Sequence, residues 1–284
     1  MLRINKEALP IVLVQGEVRH SRSSQTFRLS ADGEPFILPA TGGITYNAKI
    51  GDPCCGWAAD HLEPGVTTRN SDDAYNAAYS SLSCIGNVAI VRSGDAKGAR
   101  GFVTGKHGGC EHLLCYFDDE TMDKMTIGDK IDVRSCGQGM KLLDYPDIHL
   151  RSMSPELLEK MNIEEDGKKL RVGVAKIVPA AIMGSGLGAA TSQFGDYDIT
   201  LHDRKMTEKY GLQELRFGDI VALMDADTRY GRTYRTGSVT IGVVVHSDCI
   251  LAGHGPGVTT LMTCKTRLIE PVIDPKANLA DMFL

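Results

Sequence analysis

The chain has 284 residues and a formal net charge of −5, and this acidic balance argues against a general nucleic-acid binder. Hydrophobic residues at 42% exclude global disorder, while 31 glycines beside 6% aromatics point to many tight turns. No run reaches membrane-spanning length and no export signal is visible, so a cytoplasmic protein with eight reduced cysteines is expected.

Taken in chain order, strand-like segments dominate. Ile11–Val18, Gly43–Lys49, Asn87–Arg92, Gly101–Gly105, His112–Phe117, Lys130–Arg134, Arg171–Ile177, Asp219–Met224 and Ser238–His246 are rich in β-branched residues and bounded by Gly, Asp or Pro. The run Ser238–His246 is almost continuously apolar and reads as a strand buried on both faces. Three helices are expected: 72–84 with Ser71 or Asn70 as cap, 155–161 with Ser154 as cap and Pro155 in its first turn, and 204–210 between Asp203 and Gly211. The pattern predicts a mainly β chain, with a layered sandwich or barrel-like domain and a small, less regular α-containing domain. Its parts are drawn at 1–140 (β-rich), 141–212 (irregular and helical) and 213–284 (β-rich, packing with the first).

Two histidine-bearing Gly loops carry most of the chemistry. Lys106–His112 sets His107, Cys110, Glu111 and His112 within seven residues. Imidazole and thiolate are metal ligands and a carboxylate can serve as base, so His107 and His112 are the expected metal ligands and Glu111 an acid/base group. The alternative is a polar hairpin whose side chains diverge. His246–Val258 follows the most buried strand, a rigid support for reactive groups. Cys249 with His246 or His254 forms a candidate thiolate–imidazole pair, or the imidazoles bind a metal, or the loop is only a turn.

Asp60-His61-x-Glu63 is a third cluster in which Asp60 can orient His61 as general base; on a strand, His61 and Glu63 would share a face. A salt-bridged strand end explains it equally well. Met183–Ala190 formally matches a dinucleotide-binding glycine pattern, but Pro179 intervenes and no long helix follows. Gly184, Gly186 and Gly188 are better read as a backbone loop offering N–H groups to an anionic ligand. Asp196 and Asp198 just beyond could add carboxylates, though a polar turn accounts for them. Asp225 and Asp227 are matched by Arg229 and Arg232, so ion pairing is the simpler reading there.

Thr41–Asn47, Ala59–Val66 and Gly237–Thr260, with its HSDCILAGHGPGVTT, together resemble a full-length prokaryotic family of unknown function known from structural genomics. The resemblance implies a mainly β layered domain with a small domain of little regular structure, and implies nothing about activity. The residues themselves lead to a cytoplasmic enzyme of hydrolase or lyase type on a small polar metabolite, assisted by a divalent metal. The rival readings are a non-catalytic ligand- or nucleic-acid-binding β protein, marked by a positive stripe at Lys97, Arg100 and Lys106, and a homo-oligomeric scaffold.

Overall fold

The computed structural model describes residues 2–21 and 27–284. Six strands close an antiparallel barrel. Val12–Val18 pairs with Lys130–Ser135, followed in turn by Val88–Val91, Arg100–His107, His112–Tyr116 and Gly65–Arg69, which returns to the first strand. Closure leaves none of these strands with a free edge along its whole length. The helix Asp73–Leu82 packs Tyr79 against Gly16, where a Cβ would strike the phenol ring. Its N-cap is Asp72, which accepts from the Tyr75 amide, in place of the expected Ser71 or Asn70.

The second sheet runs in the order Lys176–Val178, Ile220–Asp227, Thr233–Val244, Gly257–Cys264, Tyr197–Ile199 and Met183–Gly186, with Ile148–Leu150 added against Gly257–Cys264. The first pair is parallel and the others antiparallel. Four of these strands come from residues 148–199. From Ser238 onward the strand Thr233–Val244 is buried at every position, as its unbroken apolar run demands. The fold is mainly β, and no helix among the described residues is long and apolar enough to cross a membrane. The helices Pro155–Lys160 and Arg204–Tyr210 start at Ser154 and Asp203, and the second stops at Gly211 in a left-handed conformation.

Sequence patterning errs at two strands of consequence. Gly43–Lys49 forms only the two-residue strand Ile44–Thr45, because Gly42 and Gly43 both have positive φ and turn the chain. Gly257–Cys264, expected to begin as loop, is a strand buried throughout.

Barrel and second sheet are joined where the site lies. Thr259 Oγ1 accepts from the Lys106 amide at 3.2 Å and donates to the Lys106 carbonyl at 2.8 Å. Gly105 lies against Val245, leaving no room for a Cβ. Lys106 is fully buried, so the basic stripe proposed for nucleic acid loses one of its three members.

Candidate metal centre

Short segments from both sheets deliver their side chains to one point. His107 and His112 are register partners at the turn of the hairpin formed by Arg100–His107 and His112–Tyr116, so both rings leave the same face. Asp196 and Asp198, two apart at the start of Tyr197–Ile199, likewise share a face. His246 lies just beyond Thr233–Val244, and His254 in the loop before Gly257–Cys264. The segment 60–63 closes the ring. It is not a strand: His61 has φ 55°, a left-handed conformation that costs energy for a residue with a Cβ. Ser247 fixes this segment: its Oγ accepts from the Leu62 amide at 2.8 Å, and its own amide donates to the Leu62 carbonyl at 2.9 Å. Ring centroids are 4.2 Å apart for His107 and His246, 4.9 Å for His61 and His246, and 5.0 Å for His61 and His254.

Each of three imidazoles is held through Nδ1 by an acceptor behind it. His61 contacts Asp60 at 2.8 Å, His107 contacts Glu63 at 2.6 Å, and His246 contacts the Ser247 carbonyl at 2.9 Å. Such acceptors place the proton on Nδ1 and leave the Nε2 lone pair free, the arrangement of metal-binding histidines. Asp60 also accepts from the Cys249 thiol at 2.8 Å and pairs with Arg28. Burial opposes its ionisation, but the bonds from His61 and Cys249 bring its pKa down to about 2. Glu63 is fully buried, yet the two imidazoles of His112 and His107 hold it well below the usual carboxylate range. It also accepts from the Gly42 amide at 2.7 Å and the Thr67 hydroxyl at 2.6 Å.

At the front of the ring His61 Nε2 and His254 Nδ1 share a hydrogen bond at 3.1 Å, and one further couple has none. His246 Nε2 and Asp196 Oδ2 are buried and 2.8 Å apart, an ion pair if the ring is protonated, yet neither makes a hydrogen bond of good geometry. The other Asp196 oxygen is anchored by the Gly108 amide at 2.8 Å. With the His246 proton on Nδ1, a lone pair faces an anionic oxygen at this distance, which is repulsive unless a positive charge stands between or beside them. A second proton on His246 is one way to meet that demand, since burial works against protonation but the carboxylates of Asp196 and Asp198 overcome it; a metal ion is the other. His107, Asp196 and His246 form one set of donor atoms all within 4.8 Å of one another, and His61, Asp198 and His246 form another.

Gly257 is the wall behind these two atoms; a Cβ there would overlap both Asp196 Oδ2 and His246 Nε2. Gly257→Ala is therefore expected to lower divalent-ion affinity by at least about 10-fold, as loss of ligand orientation does, while the strand pairing persists. Equal affinity in calorimetric titrations of variant and parent would contradict the placement.

The structure thus brings His61, His107, His246 and His254 into one ring, with Asp60, Glu63, Cys249 and His112 behind it. Cys249 is a donor to Asp60, and burial together with that carboxylate pushes its thiol pKa up, the opposite of what an attacking thiolate needs. His112 Nδ1 faces both Glu63 oxygens, at 2.9 and 3.1 Å. Glu111 lies apart, lining a depression with Arg69, Asp73 and Asn76. Gly184 and Gly186 pack on the carbonyls of Gly253 and Asp196, and the amides of Ser185, Leu187 and Gly188 are donated to Gly253, Asp196 and Thr191. Of this loop, the amides of Ser185, Leu187 and Gly188 are therefore in use, and Ser185–Leu187 lines one of two depressions beside the ring. The other, a cavity of about 330 Å³, is bounded by the hairpin segment of Phe27, Arg28 and Phe36. Glu63, Asp196 and Asp198 are central here although their sequence context is equally that of a polar turn or strand end; the signal for the last two is their i, i+2 spacing at a strand start.

Family comparison agrees with this full-length architecture. The model described as Domain of unknown function (DUF4438), N-terminal, matches residues 27–159, and its C-terminal counterpart matches residues 160–283. A solved structure described as "Crystal structure of TM1086" is 45% identical, covers 100% of this chain and 99% of its own, and superposes with a TM-score of 0.94. No curated protein matches the chain.

Proposed function

The chain belongs to the DUF4438 family, and we propose that it is a metal-dependent enzyme of hydrolase or lyase type acting on a small polar metabolite. The observation that carries this reading is the buried couple of His246 Nε2 and Asp196 Oδ2, neither of which makes a hydrogen bond. An ion bound by His107, His246 and Asp196 satisfies both atoms at once. Imidazole and carboxylate donors suit a divalent first-row ion such as zinc, manganese or iron.

The chemistry follows from the surroundings. A bound divalent ion lowers the pKa of its water from 15.7 towards about 7 and so supplies hydroxide at neutral pH. The adjoining cavity of about 330 Å³ lies at the small end of ligand sites, and its inner wall is formed by His61, His107, Asp60 and the backbone of Gly108–Gly109. That wall favours a compact polar molecule. In this reading Asp60 and Glu63 are positioning residues for His61 and His107, and Cys249 positions Asp60.

Elemental analysis of untagged protein tests the proposal. At least one divalent ion per chain is expected, and His246→Ala should lose it while keeping the circular dichroism of the parent. Wild-type protein that neither retains an ion nor takes one up on titration overturns the reading.

A further inference from the structure

The ring holds more donors than one ion with an open position can use. Each imidazole offers a single lone pair, so His246 cannot serve both donor sets that contain it. Assigning it to the set with His107 and Asp196 leaves His61 Nε2, His254 Nδ1 and Asp198 Oδ2 as a second set. Their separations are 3.1 Å between the two nitrogens, 2.9 Å from His254 Nδ1 to Asp198 Oδ2, and 3.9 Å from His61 Nε2 to the same oxygen. A circle through the corners of a triangle with these sides has a radius of about 2.0 Å, so an ion at or just above its centre meets all three at the usual 2.0–2.2 Å.

Asp198 links the two sets. Its Oδ2 belongs to the second triangle, while its Oδ1 faces His246 Nε2 at 3.7 Å. A carboxylate that turns one oxygen to each of two metal positions is the bridge of a two-metal site, whose ions lie about 3.5–4 Å apart. His254, with 33% of its side chain exposed, brings the second position to the solvent side of the ring.

Resting on the metal-dependent reading above, we propose that the centre is binuclear: one ion held by His107, His246 and Asp196, a second by His61 and His254, and Asp198 bridging them. Three or four protein donors per ion leave open positions on both, so that water or an anionic oxygen of the substrate can span the pair. His254 is then a metal ligand and not an acid/base group.

Cobalt(II) titration of metal-stripped, untagged protein tests this through the visible d–d absorption, with bound cobalt counted after gel filtration and spin coupling read by electron paramagnetic resonance. Two equivalents per chain and a coupled signal are expected. His254→Ala, at a partly exposed position, should fold normally, bind one equivalent and show an uncoupled spectrum. His254→Gln, which keeps much of the volume, should behave in the same way. One equivalent in the wild type overturns the binuclear proposal and leaves the metal-dependent reading intact; no binding overturns both. Two coupled ions retained in both His254 variants would overturn the assignment of the second site.

Discussion

Glu63→Gln is expected to reduce divalent-ion affinity by about 10–100-fold, the usual effect of losing a carboxylate that orients a ligating imidazole, and to cost about 3–5 kcal/mol of folding stability. The carboxylate accepts from five groups: the Gly42 amide, the Thr67 hydroxyl, the Cys110 thiol, and Nδ1 of both His107 and His112. All this happens at a fully buried position. Glutamine keeps the shape but exchanges one accepting oxygen for an NH2 group, which would oppose donors already pointing at it. Each buried donor left without an acceptor costs about 1–3 kcal/mol, and the loss of negative charge weakens the preference of His107 for the Nδ1–H tautomer. Isothermal titration with the metal and urea denaturation followed by circular dichroism separate the two effects. If stability falls while affinity is unchanged, Glu63 serves the barrel alone and His107 does not depend on it.

The sequence signals that worked share a physical basis. Proline in the first helical turn, Asp and Ser caps, the left-handed Gly211 and the apolar run from Ser238 are all local or period-driven features, and each element formed near its expected place. The strand expected at Gly43–Lys49 shrinks to Ile44–Thr45 because two consecutive positive-φ glycines, Gly42 and Gly43, outweigh the β-branched residues that follow. Gly257–Cys264 was obscured by the His-Gly-Pro-Gly preceding it, although Val258, Thr259 and Thr260 carried strand character.

At the site, histidine-rich loops were conspicuous because imidazoles are rare and chemically informative. The roles within them were not legible, since roles depend on which atom faces which. His107 and His112 look equivalent in sequence, yet the hairpin register sets both against Glu63 and only His107 stacks on His246. Cys249 reads as a nucleophile beside histidines, and its actual neighbour is the carboxylate of Asp60, 189 positions away. Asp196 and Asp198 are carried by a short strand whose partner is Gly257–Cys264, so their meeting with His246 is a long-range consequence of sheet order. The local pattern could suggest a shared face for the two carboxylates and nothing about what that face would meet.

Lys106 gives the second large effect, with its sign fixed by burial. Strand alternation sends its side chain away from the His107 ring, into the protein, where Nζ donates to the carbonyls of Gln193 at 2.8 Å and Ser81 at 3.5 Å. No carboxylate among the described residues pairs with it, and burial lowers its pKa from 10.5 to about 8. The folded state therefore releases this proton at lower pH than the unfolded state does. The cost of burying the ammonium is complete below pH 8 and is relieved as pH rises towards 10.5; a shift of this size corresponds to about 3 kcal/mol. Both carbonyls retain other donors when the amine is removed, Ser152 Oγ for Gln193 and Gln138 Nε2 for Ser81. Lys106→Met, which fills similar space without a charge, is accordingly expected to stabilise the protein by about 1–3 kcal/mol at pH 7. That advantage should shrink by about 1 kcal/mol between pH 7 and pH 9, because only the parent gains from deprotonation. The comparison is best confined to that window: the buried thiols of Cys84 and Cys115, with pKa values raised to about 11 and about 12, stay protonated in the fold and make stability fall with pH above 9. Urea denaturation of parent and variant at pH 7, 8 and 9 supplies the difference directly. A variant less stable than the parent by the same amount at all three pH values would mean that the ammonium is anchored by its carbonyls more strongly than burial penalises it.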